Sequence, residues 1–330
     1  MKAFRYDRPS TLAGAVTSMA GEGTLLKAAG IDVLDRMKER VDLPDRVVTL
    51  IDVPGLDRVE RLPTGALRIG ALATLARLAA SDDVRTAAPA LAQAASEAAS
   101  PQIRNRATVG GNLGQHTRCG YYRLASFPCF KRGDAFCPVR KPDAVQEEAG
   151  IFGIYLCACA LPSSLAPTLG ALGATVVVTG TAGERRLAVA DLYEAPRQGK
   201  ASDMTLAPTD VITAVEVPAR GPGDRQGFHE IRRRAQFDWP LVLAATWVRV
   251  EGTKVADARV WLGSVAPTPI ASAAAAKALV GAPSDGEGFA AAAGDAAVSG
   301  ATPLPGTIYK TALVKVAVRR ALLGSADGRR

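Results

Sequence analysis

Apolar positions in the first fifty residues switch between helical and strand periods. Residues 10–20 carry an amphipathic helical spacing, with Ser10 as the expected N-cap. GTLLKAAG (residues 23–30) is an apolar run ending in a glycine turn. IDVLDRMKER leaves that turn as a helix, and residues 46–53 form a second strand. Together they predict a small βαβ unit. Residues 58–71 read as a hairpin turning at Thr64-Gly65, and the alanine-rich residues 74–99 as helix broken near Pro89. A Gly-Asn loop follows. Residues 173–193 read as a hairpin turning at Ala182-Gly183, and residues 210–218 as a strand.

The best linker is ARGPGDRQG (residues 219–227), rich in Gly, Pro and charge. Beyond it lie strand-like runs at 228–233, 241–251 and 255–265, with EGTK turning between the last two. Helical segments at 269–279, 286–297 and 305–323 finish the pattern. This predicts a C-terminal α+β layout built on a three-stranded antiparallel sheet.

The length, 330 residues, favours two domains. The net charge of +8 suits an anionic cofactor as well as a nucleic acid. Residues 149–183 carry no charge, but Pro162, Pro167 and several glycines break them. We read a buried strand followed by a core helix there, not a membrane span. The opening MKAFRYDRPS lacks a secretory h-region. The expected location is the cytoplasm, or the periplasm by co-export with a partner. A G-x-S-x-G elbow, an H-E-x-x-H helix, a P-loop and G-x-G-x-x-G are all absent, so any chemistry must come from a cofactor.

All five cysteines fall between positions 119 and 159, spaced C-x9-C-x7-C-x19-C-x-C. Cys119, Cys129 and Cys137 sit among Arg, Lys, Gly, Pro and Asp, which is loop composition for a residue usually found in cores. The spacing lacks the paired C-x2–4-C knuckles usual for zinc. Spacing alone leaves an iron–sulfur cluster, zinc and no metal open, with the cluster favoured. Between Arg104 and Lys141 there are eight Arg or Lys residues and one acid, Asp134. A diphosphate or an anionic cluster would explain this imbalance, and so would a solvated basic face.

LRIGALATLARLA, SPQIRNRATVGGNL, LAPTLGALGATVVV, LAPTDVITAVEVP and WLGSVAPTPI, with the opening MKAFRYDRPSTLAGAV, carry a resemblance over nearly the whole chain. It resembles the FAD-binding medium subunit of the xanthine dehydrogenase and aldehyde oxidase family of molybdenum hydroxylases. The cysteine segment is similar to that of the aldehyde oxidoreductase branch, whose flavin subunit also holds a 4Fe-4S cluster. A hydroxybenzoyl-CoA reductase-like or xanthine dehydrogenase-like subunit is the alternative. A non-enzymatic zinc or nucleic-acid scaffold is a distant one.

The resemblance implies a two-part FAD domain of the vanillyl-alcohol-oxidase (PCMH) type at 1–221, with the cysteine insertion at about 115–160. It implies a CO-dehydrogenase-flavoprotein-type domain at 222–330. FAD would rest on two turns. The first is Lys27, Ala28, Ala29, Gly30, Ile31, Asp32, Val33 and Leu34. The second is Thr108, Gly110, Gly111 and Asn112, with Gln115 and Arg118 nearby and Ser164 and Glu230 farther along. The cluster ligands would be Cys119, Cys129, Cys137 and Cys157, with Cys159 as alternative to the last. The implied partners are a large molybdenum-cofactor subunit and a small subunit with two 2Fe-2S clusters, forming a heterotrimer that oxidises an aldehyde. This chain would pass electrons without oxidising the substrate itself.

The sequence departs from the family pattern in three places. Ala29-Gly30-Ile31 stands for Gly-Gly-Thr, and a left-handed Ala29 would cost roughly 1–2 kcal/mol. Ser164 stands for an aspartate. Glu230 stands for a lysine, with Arg232, Arg233 and Arg234 available to compensate.

Overall fold

The computed structural model describes residues 1–234 and 237–324. Three sheets organise it. The first is parallel, in the order β1-β3-β2, from β1 (Arg5–Asp7), β2 (Thr24–Lys27) and β3 (Arg46–Thr49). The helix Ile31–Lys38 makes the crossover between β2 and β3. Thr11 rather than Ser10 caps the first helix, its Oγ1 accepting from the Gly14 N–H at 3.1 Å.

The second sheet is antiparallel, in the order β4-β5-β8-β6-β7. Its strands are β4 (Val59–Arg61), β5 (Leu67–Gly70), β6 (Thr175–Gly180), β7 (Gly183–Ala188) and β8 (Val211–Val217). β5 pairs with β8 far along the chain, so this sheet brackets everything from residue 71 to 174. The alanine-rich stretch is three helices: Leu75–Ala80, Asp82–Ala87 and Pro89–Glu97. Besides the break at Pro89 there is one at Ser81, which ends one helix and caps the next through its hydroxyl.

The third sheet is antiparallel, in the order β12-β11-β10-β9. Three long strands, β9 (Asp224–Ile231), β10 (Val242–Glu251) and β11 (Lys254–Gly263), are joined by a two-residue edge strand, β12 (Ile270–Ala271). β10 is buried continuously from Val242 to Val248 because both faces of the sheet are covered. Leu243, Ala245 and Trp247 enter the core shared with the second sheet, and Val242, Ala244 and Val248 enter the core under the C-terminal helices. The sheet is thus a common wall, and period-2 alternation divides its side chains between two interiors.

Two expectations fail here. Residues 224–227, read as linker, are the start of β9. They read as loop because Asp224, Arg225, Gln226 and Gly227 lack the β-branched signal of a strand. Gly227 is needed for packing: a Cβ there would lie 1.8 Å from the Ala321 carbonyl on the helix Tyr309–Leu323. The buried strand read before Pro162 is also absent. Residues 150–163 are buried coil, pinned at single points, with Ile151 N–H donating to Val265 O (2.6 Å) and Leu161 N–H to Ala266 O (3.0 Å). A core helix does follow, Leu165–Ala171. No described helix is long and apolar enough to cross a membrane.

Replacing Gly227 by Val should lower stability by about 3 kcal/mol through backbone overpacking. A urea titration should show a lower midpoint with an unchanged slope.

Candidate functional site

Two loops face one cleft of about 270 Å³ beneath an open mouth. The first loop leaves β2 and enters the helix Ile31–Lys38 through Gly30, whose φ is 91°. The left-handed step falls on Gly30, and Ala29 is not among the positive-φ residues, so the expected strain at Ala29 does not arise.

The second loop is the N-terminus of a helical turn, Val109–Leu113. Thr108 caps it, its Oγ1 accepting from Gly111 N–H at 3.1 Å, while Gly110 N–H donates to Ala71 O at 2.8 Å. The amides of the first helix start face the cleft, where they favour an anion, whereas those of Val109, Gly110, Gly111 and Asn112 are taken by Ala73 O, Ala71 O, Thr108 Oγ1 and Thr108 O.

Ala28, Ala29, Gly30, Ile31, Asp32, Val33, Thr108, Gly110, Gly111, Asn112, Gln115, Arg118, Ser164 and Glu230 all line the cleft. Lys27 and Leu34 do not. The Lys27 ammonium lies over Tyr6 and donates to its hydroxyl at 3.3 Å. Asn112 is committed to the protein, its Oδ1 accepting from Ser163 Oγ (2.7 Å) and Leu165 N–H (3.2 Å), which seats the segment carrying Ser164.

The floor, from Ala71, Leu75, Ala98, Ile103, Met204 and Ile212, and the Trp239 side chain were not foreseen. They come from separate elements, and no local pattern marks them. Arg118 stacks on Trp239, with the guanidinium 4.4 Å from the ring centroid.

Asp32 ties the loops together. It pairs with Arg36, with Arg123 at 2.6 Å and with Arg118 at 3.3 Å, and accepts from the His116 N–H at 3.1 Å. Burial alone would raise its pKa, but Arg36, Arg123 and Arg118 outweigh burial and bring it down to about 2. His116, buried and hydrogen-bonded to the Tyr122 hydroxyl at 2.6 Å, is held well below its ordinary pKa, first by burial.

At the far end of the cleft, Ser164 Oγ donates to Glu230 Oε2 at 3.3 Å. Burial raises the Glu230 pKa to about 7 against the opposing pull of Arg232. Of the three arginines expected to compensate, Arg232 pairs with Glu230, whereas Arg233 turns to Glu147 and Glu148.

The cysteine segment adjoins this cleft, and its five thiols are free. Cys119, Cys129 and Cys137 each stand at the start of a short helical turn: Gly120–Arg123, Phe130–Arg132 and Pro138–Arg140. Burial pushes the Cys119 thiol up to about 12 and raises Cys129, against the opposing pull of the Tyr121 and Tyr122 amides on the first and the Lys131 and Arg132 amides on the second. Cys157 interacts with both Cys137 and Cys159. It keeps a raised pKa, and its hydrogen bond holds Cys137 down to about 6, with the Val139 and Ala158 amides also lowering Cys137.

The basic excess of this segment is spent on the loop itself. Arg132 donates to the carbonyls of Tyr121, Tyr122, Leu124 and Phe127, and Arg140 to Ile154 O at 3.1 Å. Lys131 forms a buried pair with Asp203. Burial opposes the Lys131 charge, but Cys159, Asp203 and Cys157 prevail and raise its pKa. Among the described residues, no three Cys, His, Asp or Glu side chains converge closely enough to hold a single ion.

Residues 2–220 match the family described as the FAD binding domain in molybdopterin dehydrogenase. Residues 226–325 match the CO dehydrogenase flavoprotein C-terminal domain. The chain is similar to the aldehyde oxidoreductase FAD-binding subunit PaoB of Escherichia coli, at 34% identity over 82% of this chain and 83% of that one. It is similar to the carbon monoxide dehydrogenase medium chain of Afipia carboxidovorans, at 27% identity over 97% and 95%. Among solved structures, a cyanide-inactivated Cu,Mo-CO dehydrogenase chain aligns with a TM-score of 0.75 at 25% identity, over 98% of this chain and 97% of that one.

Replacing Asp32 by Asn should cost about 2 kcal/mol at pH 7, from the depressed pKa. Because the folded-state pKa lies below the unfolded one, the stabilisation is complete above about pH 4 and fades as pH falls toward 2. Denaturation curves of wild type and variant should therefore converge over that acid window.

Proposed function

The chain belongs to the FAD-binding medium subunits of the xanthine dehydrogenase and CO dehydrogenase family, and from that premise we propose that it serves an aldehyde-oxidising complex as a combined flavin and 4Fe-4S electron-transfer subunit. FAD-binding oxidoreductase subunit is the family's role. The cluster, the aldehyde and the partner set are our reading. The observation that carries it is the cysteine nest: three thiols stand at the starts of short helical turns whose amides act to lower their pKa, beside a segment bearing two more.

Such amides stabilise thiolate charge, as an iron–sulfur cluster requires. A cube also meets its ligands at separate corners, not at one point. Cys119, Cys137, Cys157 and Cys159 are neighbours in one hydrophobic cluster, and Cys129 starts the turn beside Phe130, which belongs to it. Cys119, Cys129, Cys137 and Cys157 are the proposed ligands, with Cys159 the alternative to Cys157. The similarity to the Escherichia coli aldehyde oxidoreductase subunit supports the aldehyde reading.

FAD would be held between the two loops, its pyrophosphate on the amides that follow Gly30 and against the glycine pair Gly110-Gly111, and its ring toward Ser164, Glu230 and Trp239. When bound, it supplies reversible two-electron storage. The protein's part is to orient and shield. Arg118, stacked on Trp239, closes one side, and the apolar floor excludes water. Glu230, its pKa raised to about 7, can take up or release a proton near neutral pH. We assign 1–221 to the FAD domain, about 115–160 to the cluster segment and 222–330 to the C-terminal domain. A large molybdenum-cofactor subunit and a small 2Fe-2S subunit complete the proposed heterotrimer.

The chain prepared anaerobically should contain one FAD and about four iron atoms, in keeping with a single cube. Cys129→Ser should lose iron while keeping FAD. Cys157→Ser should lose iron and Cys159→Ser retain it, and the reverse would make Cys159 the ligand. FAD without iron, with every thiol open to alkylation, would overturn the cluster. Turnover of xanthine but not of aldehydes by the purified complex would overturn the substrate.

A further inference from the structure

A second cavity, of about 420 Å³, lies between the cysteine segment and the C-terminal sheet. It shares Arg118, Pro162 and Trp239 with the first cleft, so the two spaces meet at the stacked Arg118–Trp239 pair. Tyr121, Leu124 and Phe127 supply apolar and aromatic wall, and Cys119 and Cys159 also line it.

One residue on this lining is out of keeping with the rest. Lys310, near the start of the helix Tyr309–Leu323, is 1% exposed. Its Nζ donates to Ser264 O at 3.1 Å and to Glu148 O at 3.4 Å. An ammonium has three N–H donors, so one is left over. Among the described residues no carboxylate pairs with it, because Glu147 and Glu148, at the same cavity, turn to Arg233 at 2.9 and 3.8 Å. Burial lowers its pKa to about 8. A buried ammonium with a spare donor is costly unless an oxygen acceptor meets it.

We propose that this cavity binds a small quinone, with its ring against the aromatic wall and one carbonyl oxygen accepting a hydrogen bond from Lys310. A carbonyl oxygen suits the site because Lys310 needs an acceptor there, while Arg118 and Arg233 on the same lining are already engaged with Asp35, Glu147 and Glu148. A quinone takes up two electrons and two protons, its two C=O groups becoming C–OH, and nothing leaves. The electrons are those the oxidoreductase complex delivers to this subunit. That source rests on the function proposed above, whereas the binding does not.

The full chain, purified with its flavin, would be dialysed to equilibrium against tetramethyl-1,4-benzoquinone, whose substituted ring leaves no position for thiol addition. Saturable binding is expected. Lys310→Met should weaken it about tenfold or more by removing the charged donor, and Leu124→Trp should abolish it by filling the cavity. Both variants should keep their flavin. Unchanged quinone binding in both variants would overturn the proposal. So would loss of flavin from Leu124→Trp, which would assign the cavity to the flavin ring. A wild-type chain that holds no flavin would defeat the earlier reading, while the dialysis would still decide the cavity.

Discussion

A single buried carboxylate holds the functional half of this molecule in register. Asp32 lies in the first turn of the helix that leaves the glycine turn; Arg36 closes on it from the same helix, and Arg118 and Arg123 from a distant part of the chain. Burying a carboxylate is costly, and burying guanidiniums beside it would be costlier without it. Together the four groups satisfy one another, and the geometry that does so brings the first loop against the second. The cleft exists because this pairing leaves the two helix N-termini facing across it rather than packed together. Arg118 then carries the connection on to Trp239 and the C-terminal sheet.

The cysteine segment solves a different problem. It has little regular structure, so its carbonyls lack ladder partners. Arginine guanidiniums, each with several donors in a fixed fork, take that role: Arg132 alone gathers four carbonyls. The basic residues that suggest an anion on sequence grounds are therefore largely internal staples. Cys119, Cys129 and Cys137 each initiate a short turn. With its carbonyls stapled by side chains, a loop rich in Gly and Pro gathers Cys119, Cys137, Cys157 and Cys159 in one hydrophobic cluster.

The C-terminal sheet completes the site by serving two cores at once. Its strand β9 carries Glu230 into the cleft, and Gly227 on the same strand lets the last helix press close enough to bring Lys310 to the second cavity. Cleft, thiols and second cavity all border on Arg118, Pro162 and Trp239, or lie one residue from them. A change in that small region would be felt in all three.

Local chemistry made much of this legible from the chain alone. The switch from apolar run to glycine to helix at residues 23–38, the Thr108-to-Asn112 turn and the confinement of every cysteine to one window are properties of neighbours in sequence, where steric and hydrogen-bonding rules act over a few residues. The motif resemblance placed the same turns around one cofactor. Three things had to wait for tertiary structure. The left-handed step fell on Gly30 and not Ala29, because only the packed loop decides which residue turns. The arginines went to carbonyls of their own loop and to Asp32 and Asp35, more than eighty residues away, rather than to an open anion. Trp239, Lys310 and the apolar floor joined the site from separate elements. Burial and long-range pairing depend on which surfaces meet, and one-dimensional pattern does not carry that information.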